Sequence, residues 1–318
     1  MELPRIACIG AGNFSGRFIH PQLHRHGVEL AAVCDLVEER ARRAAACHGF
    51  ARVYTDFHAM LERERPDAVF CVGPPQMQHE VGMQVLAMGF PLYVQKPAAA
   101  STEGVREMAR AAADADVLCH VGFNLRSAPA VRRAREILAS DEFGEVTVGV
   151  FRYGLMSRPV WRDAILDQHV HAIDLILHLL GPVEVTNVTP MLQEGARGYV
   201  ASLRLGSGGV ASLNTTSEMD ATDEFIAFEI TGRRGHSLFS HDGDLRYHRP
   251  QGDDIRMTMG TWNPQRIIDW WGYFDDVACF LAAARGAAED ICPVADTVRT
   301  MELAERIIEL CHEGGAPQ

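Results

Sequence analysis

The stretch Arg5-Ile6-Ala7-Cys8-Ile9-Gly10-Ala11-Gly12-Asn13-Phe14-Ser15-Gly16, continued as far as Leu30-Ala31-Ala32-Val33-Cys34-Asp35, decides the fold. Its opening apolar run has the length and composition of a buried parallel strand. A glycine turn follows. The next segment carries Phe14, Phe18, Ile19 and Leu23 on a helical apolar face and closes at Gly27. Leu30 to Cys34 reads as a second strand that delivers Asp35 at its end. Strand, glycine turn, helix, strand and terminal acid come in the order a dinucleotide site requires.

Each part has a physical reason. Gly10 can adopt the dihedrals of a tight turn, and Gly12 has no side chain to hold a pyrophosphate away from the main chain. The free N–H groups of the helix start, at Asn13 and Phe14, then face the phosphates with the positive dipole end behind them. Asp35 lies nineteen positions after Gly16, near the spacing of the acid that binds ribose hydroxyls. A carboxylate there repels a 2′-phosphate, which favours NAD over NADP. Two departures stand out. The pattern is G-x-G-x-x-x-G, which predicts an extra residue in the turn, and Pro21 falls inside the helix, where it removes a backbone donor.

Strands and helices continue to alternate outward from this stretch. A helix is expected over Val37 to His48, a strand over Arg52 to Tyr54, a helix over Phe57 to Glu64 and a strand over Asp67 to Val72. A helix from His79 to Met88, a strand from Pro91 to Val94, a helix capped by Ser101 or Thr102 and a strand from Val117 to Val121 follow. This alternation predicts a doubly wound parallel sheet over residues 1–122, an α/β dinucleotide-binding domain. Ligands of such sheets lie outside the carboxyl ends of the strands, which here carry Gly10, Asp35, Pro74 and Lys96.

Residues 123–318 change character. After helices over Pro129–Leu138 and Ile165–Leu180, strand-like runs over Glu145–Tyr153, Val183–Val188, Tyr199–Leu205, Gly209–Thr216, Phe225–Thr231 and Ser237–Ser240 predict a largely antiparallel open sheet. Two C-terminal helices, about Gln265–Ala284 and Asp296–Cys311, complete an α+β domain.

Composition bounds the function. A formal net charge of −12 argues against a nucleic-acid or anionic membrane partner. No apolar run reaches the roughly eighteen residues of a membrane span, and the start leads directly into the first strand with no signal peptide. The eight cysteines form no C-x-x-C pair. Reduced thiols in a cytoplasmic protein are expected.

Two constellations carry chemistry. Lys96 ends a parallel strand and is followed by Pro97. Asp167, His171, Asp174 and His178, spaced four, three and four, are expected on one helical face, with His169 turned away as a structural residue. Asp167 would orient the His171 ring for proton transfer. An Asp/His stripe also suits zinc or iron, or a polar seam between helices. Beside a nucleotide domain the acid/base reading comes first, and no metal ligand is assigned.

These motifs together resemble the glucose–fructose oxidoreductase / inositol dehydrogenase (Gfo/Idh/MocA) family. The likeness rests on Gly10 to Gly16, Asp35, Pro74-Pro75 with His79, Lys96-Pro97, Gly122-Phe123-Asn124 and Asp167 to Asp174. It implies a Rossmann domain followed by an α+β domain whose open sheet lines the substrate site and often a dimer interface. It implies NAD, a carbohydrate-like substrate and a homodimer or dimer of dimers. Carried over by position, Lys96 matches the lysine of a Glu-Lys-Pro motif, and Asp167 and His171 match an Asp-x-x-x-His pair. Trp161-Arg162 resembles a segment near the nicotinamide, so cofactor contacts are expected at Gly10, Gly12, Asn13, Phe14, Asp35, Pro74, His79, Gln95, Lys96, Trp161 and Arg162. Asn124, Arg126 and Arg158 are candidate substrate contacts. Gln95 stands where the family has glutamate, which removes a negative charge beside Lys96.

The expected reaction is hydride transfer between NAD(H) and a secondary alcohol or ketone of a sugar, sugar derivative or cyclitol. His171 would be the general base, Asp167 its orienting partner and Lys96 the electrostatic stabiliser of the substrate oxygen. A dinucleotide-binding regulator with altered catalysis, or an NAD-assisted glycoside-cleaving enzyme, are the alternatives.

Overall fold

The structure, a computed structural model, describes residues 3–155, 160–194, 197–219, 225–258 and 268–316. The chain forms two compact units, Met1–Asn124 with Gly272–Val298, and Leu125–Trp271 with Arg299–Gln318.

The first unit is built on six parallel strands: β1 (Arg5–Ile9), β2 (Glu29–Cys34), β3 (Arg52–Tyr54), β4 (Ala68–Cys71), β5 (Leu92–Gln95) and β6 (Cys119–Gly122). Their order is β3-β2-β1-β4-β5-β6, so the chain reverses direction beside β1. A crevice for a dinucleotide forms at such a switch point. The near-continuous apolar runs read from sequence are buried strands, because helices cover both faces of a parallel sheet. Those helices include α1 (His20–Leu23), α2 (Glu38–His48), α3 (Phe57–Glu64), α4 (Pro75–Ala87) and α5 (Thr102–Ala115). Asp56 caps α3 by accepting the His58 and Ala59 N–H groups, and Ser101 caps α5 by accepting that of Gly104. Each such cap contributes about 1 kcal/mol. The helix expected from His79 begins four residues earlier, at Pro75, because proline fits the first helical position, where no N–H is needed.

The expected division at residue 122 misses one segment. Gly272–Val298, expected in the second domain, clusters with the first unit. The reason is polar. Asp276, on the helix Tyr273–Ala284, accepts the Tyr93 hydroxyl proton at 2.8 Å and lies 3.3 Å from Nε2 of His120, while Asp290 takes Nδ1 of the same ring at 2.6 Å. The Val121 N–H adds a backbone bond to Cys292.

The second unit carries an eight-stranded sheet of β7 (Val146–Gly154), β8 (Val183–Pro190), β9 (Tyr199–Leu205), β10 (Val210–Thr216), β11 (Phe225–Gly232), β12 (Ser237–His241), β13 (Asp244–His248) and β14 (Ile255–Met257). The order is β14-β13-β12-β11-β7-β10-β9-β8, antiparallel except where β10 runs parallel to β7. The sequence reading lacked β13 and β14, short strands in which Asp244, Arg246, His248 and Arg256 interrupt the apolar residues. Against this sheet stand α6 (Pro129–Leu138), α7 (Trp161–Ala164) and α8 (Val170–Leu180). The last helix, expected over Asp296–Cys311, runs Val294–Glu313. Of the helix expected over Gln265–Ala284, residues 265–267 lie outside the described residues, and Tyr273–Ala284 is helical as expected.

Candidate functional site

In the first unit, the carboxyl ends of β1, β2, β4 and β5 bring the expected lip together. Gly10 has φ +95°, and a Cβ there would stand 2.0 Å from the carbonyl oxygen of Val72, so no other residue fits. A Cβ on Gly12 would meet nothing within 4 Å, which leaves open space over the turn. Asp35 closes this edge, its two carboxylate oxygens accepting the N–H groups of Ala11 at 2.8 Å and Val37 at 2.9 Å. Each oxygen keeps a lone pair for a ligand hydroxyl.

The extra residue expected in the turn is elsewhere. Asn13 and Phe14 are already helical directly after Gly12. The surplus residue is absorbed further on, in a π-helical turn, Ser15–Ile19, where the His20 N–H reaches back five residues to Ser15. A π turn inserts one residue into a helix without ending it. It ends just before Pro21, which has no N–H to donate. Ser15, only 1% exposed, takes the buried third position of the fingerprint in place of glycine. Gly16 meets only Nε2 of His48, at 4.0 Å. The Phe14 and Phe18 rings pack at a tilt with centroids 4.9 Å apart, and Tyr273 lies 6.2 Å from Phe14.

Pro74 precedes α4 and is exposed on the same edge. His79, expected at the cofactor, turns instead to α5, where Nε2 lies 2.9 Å from Glu107. Lys96 follows β5 directly and is joined to Pro97 by a cis peptide. Gln95 is buried, and its Oε1 accepts the Lys96 N–H at 2.7 Å. Its Nε2 is buried with no hydrogen-bond partner among the described residues.

In the second unit, Asp167 lies in another π-helical turn, Ile165–His169, with the Val170 N–H bonded to Ile165 five residues back. The four acid and imidazole residues therefore do not share one α-helical face, since Asp167 precedes α8 and the other three lie on it. Asp174 is turned to structure. The Arg126 guanidinium donates to both its oxygens, at 2.8 and 2.6 Å, and the Thr300 hydroxyl adds a bond at 2.9 Å. Arg126, a candidate substrate contact, is thus engaged with Asp174 and only 6% exposed. Asn124 is buried as well. Arg158 lies outside the described residues. Trp161 is buried too. Arg162 reaches Glu305 at 3.4 Å. His178 stands 3.2 Å from the Arg135 guanidinium; burial first, then Arg126 and Arg135, lower its pKa to about 3. His169 is structural, as expected. Burial lowers its pKa to about 3, and it packs between the Tyr153 and Tyr199 rings. His171 is 8% exposed and Asp167 half-buried.

Sequence reasoning missed the Tyr93–Asp276–His120–Asp290 network and Gln78. Burial opposes charge on His120, but Asp276 and Asp290 outweigh it and push the imidazole up to about 9. Gln78 had a readable signal: it is a polar residue in line with Gly82, Val85 and Leu86, the buried stripe of α4.

Comparison with known proteins agrees with this geometry. The family model described as an oxidoreductase family with an NAD-binding Rossmann fold matches residues 4–123, and the Gfo/Idh/MocA C-terminal domain matches residues 131–237. The chain belongs to the Gfo/Idh/MocA oxidoreductase family. It is 28% identical to D-glucoside 3-dehydrogenase of Escherichia coli K12 over 58% of this chain, and that alignment spans 56% of the relative's length. It is 28% identical to D-apiose dehydrogenase of Paraburkholderia graminis, covering 97% of this chain and 88% of the relative. A crystal structure of a dehydrogenase from Chromobacterium violaceum superposes with a TM-score of 0.89 at 24% identity, covering 97% of this chain and 95% of that one, a likeness of fold. This Gfo/Idh/MocA chain thus has the NAD-binding fold of its family in the first unit. No helix of the described residues is long and apolar enough to cross a membrane.

Proposed function

We propose that this oxidoreductase transfers a hydride between NAD(H) and a secondary alcohol or ketone of a sugar, sugar derivative or cyclitol. The observation that carries the proposal is the Gly10–Gly12 turn with Asp35 fixed beside it by two backbone N–H groups. The residues fit the cofactor: open space over Gly12 suits a pyrophosphate, and the remaining lone pairs of Asp35 suit ribose hydroxyls. When bound, the nicotinamide supplies the hydride chemistry. Asp35 would favour NAD over NADP by repelling a 2′-phosphate.

The chain's own residues must move the hydroxyl proton and steady charge on the oxygen. His171 is assigned as the general base, Asp167 as the group that orients it, and Lys96 as the cation that stabilises the developing alkoxide. The substrate class follows the sugar dehydrogenases named above. A homodimer or dimer of dimers is part of the proposal, supported by Val148, Val200, Val210 and Phe239, which project from the second sheet into solvent. A cytoplasmic setting fits the eight cysteines, all of them free thiols.

The test is to identify any copurifying dinucleotide by mass and to screen sugars and cyclitols by absorbance of the reduced cofactor. Reduction of NAD by a sugar, lost in Lys96→Ala and His171→Ala, is the expected result. Glycoside cleavage without net NADH would replace this reading with the lyase-like alternative.

A further inference from the structure

We propose that Gln78 is a positioning residue for Lys96, its buried amide gripping the main chain on both sides of that lysine. The proposal rests on the role given to Lys96 above.

A lysine at a strand end is held only as well as its backbone is held. β5 ends at Gln95, so beyond that residue the sheet no longer fixes the chain. Backbone groups buried there still need partners. Gln78, itself fully buried, supplies three of them. Its Oε1 accepts the Gln95 N–H at 2.9 Å, and its Nε2 donates to the Gln95 carbonyl at 2.8 Å and to the Pro97 carbonyl at 3.0 Å. Its Oε1 also faces the Gly73 N–H at 3.4 Å, on the loop that leaves β4. The remaining donor, the Lys96 N–H, goes to the Gln95 side chain, and Pro97 has none. Two glutamines therefore fix the peptides on either side of Lys96.

The chemistry of an amide is what this seat demands. It must accept from one N–H and donate to two carbonyls at once, which glutamine does with one rigid plane. A carboxylate would keep the acceptor and set its second oxygen against the two carbonyls. A leucine would fill the space and hold nothing. Because an amide does not titrate, the grip is the same at every working pH. A misplacement of about 1 Å in a catalytic group costs up to about 10²-fold in rate, which sets the scale of the effect.

The experiment compares full-length wild type, Gln78→Leu and Gln78→Glu, each checked for folding by thermal melting. Gln78→Leu is expected to lower kcat by about 10- to 100-fold while KM for the sugar and Kd for NAD stay within about threefold. In Gln78→Glu, the ratio of its kcat to that of wild type should rise as pH falls from 8 to 6. Protonation restores one O–H donor beside the carbonyls, a recovery that a merely structural residue does not give. Unchanged kcat in Gln78→Leu, NAD affinity lost in parallel with kcat, or a pH-flat ratio in Gln78→Glu overturns the proposal. If Gln78→Leu does not fold, the Gln78→Glu ratio decides. If wild type oxidises no sugar, the functional reading fails, and amide exchange then decides the grip. Faster exchange at Gln95 and Lys96 in Gln78→Glu supports it, and unaltered exchange overturns it.

Discussion

Among the described residues are two π-helical turns, Ser15–Ile19 and Ile165–His169, and they do opposite things to the motifs that surround them. The first rescues its motif. By taking up a surplus residue after the glycine turn, it leaves Gly10, Gly12 and the helix start in the positions a phosphate needs. The second divides its motif, setting Asp167 ahead of the helix that carries His171 and freeing Asp174 to bind Arg126. A spacing of four residues means one face only where every intervening hydrogen bond spans four residues.

Several experiments would break or sharpen that contrast. The largest effect is expected from His171→Ala, with turnover reduced about 10²- to 10⁴-fold and NAD affinity retained, measured by steady-state kinetics and dinucleotide titration. Asp174→Ala tests the other side of the divided motif. It removes the carboxylate that pairs with a buried guanidinium and should cost about 3–5 kcal/mol in urea unfolding, with activity lost only in proportion to unfolding. Equal stability and a dead enzyme would return Asp174 to the active site.

Asp35→Ala should weaken NAD and relax the discrimination against NADP by about tenfold or more, the value of a charge-assisted hydrogen bond. An unaltered preference would remove Asp35 from the ribose. His120 contributes one part of the pH dependence. Its folded-state pKa is raised, so its contribution is complete below the unfolded value near 6.5 and is lost as pH rises through about 9. Melting temperatures from pH 6 to 10 should fall across that window, and His120→Gln should flatten the slope.

The smallest effect separates two glycines that look alike in sequence. Gly16→Ala should be neutral or stabilising by up to about 1 kcal/mol, as for any open helical glycine. Gly10→Ala would drive a methyl group into the Val72 carbonyl and should not fold normally.

The fold was legible because its strands are apolar runs bounded by glycine and proline, a signal that needs no long-range information. β13 and β14 escaped because they are short and charged residues interrupt their apolar ones. In the site, the glycines and Asp35 were legible because one local turn sets their geometry. The burial of Arg126, Asn124 and Trp161 was not legible, because burial is decided by distant parts of the chain. No spacing in the sequence announces that Thr300 will meet Asp174, or that Asp276 will meet Tyr93.

The return of Gly272–Val298 to the first unit has a practical side. The nucleotide-binding part of this protein is written in two separate stretches of its gene. A chimera that swaps only the leading 124 codons would export Tyr93 and His120 without the acids that answer them. Any recombination meant to trade cofactor modules between relatives must carry both pieces together.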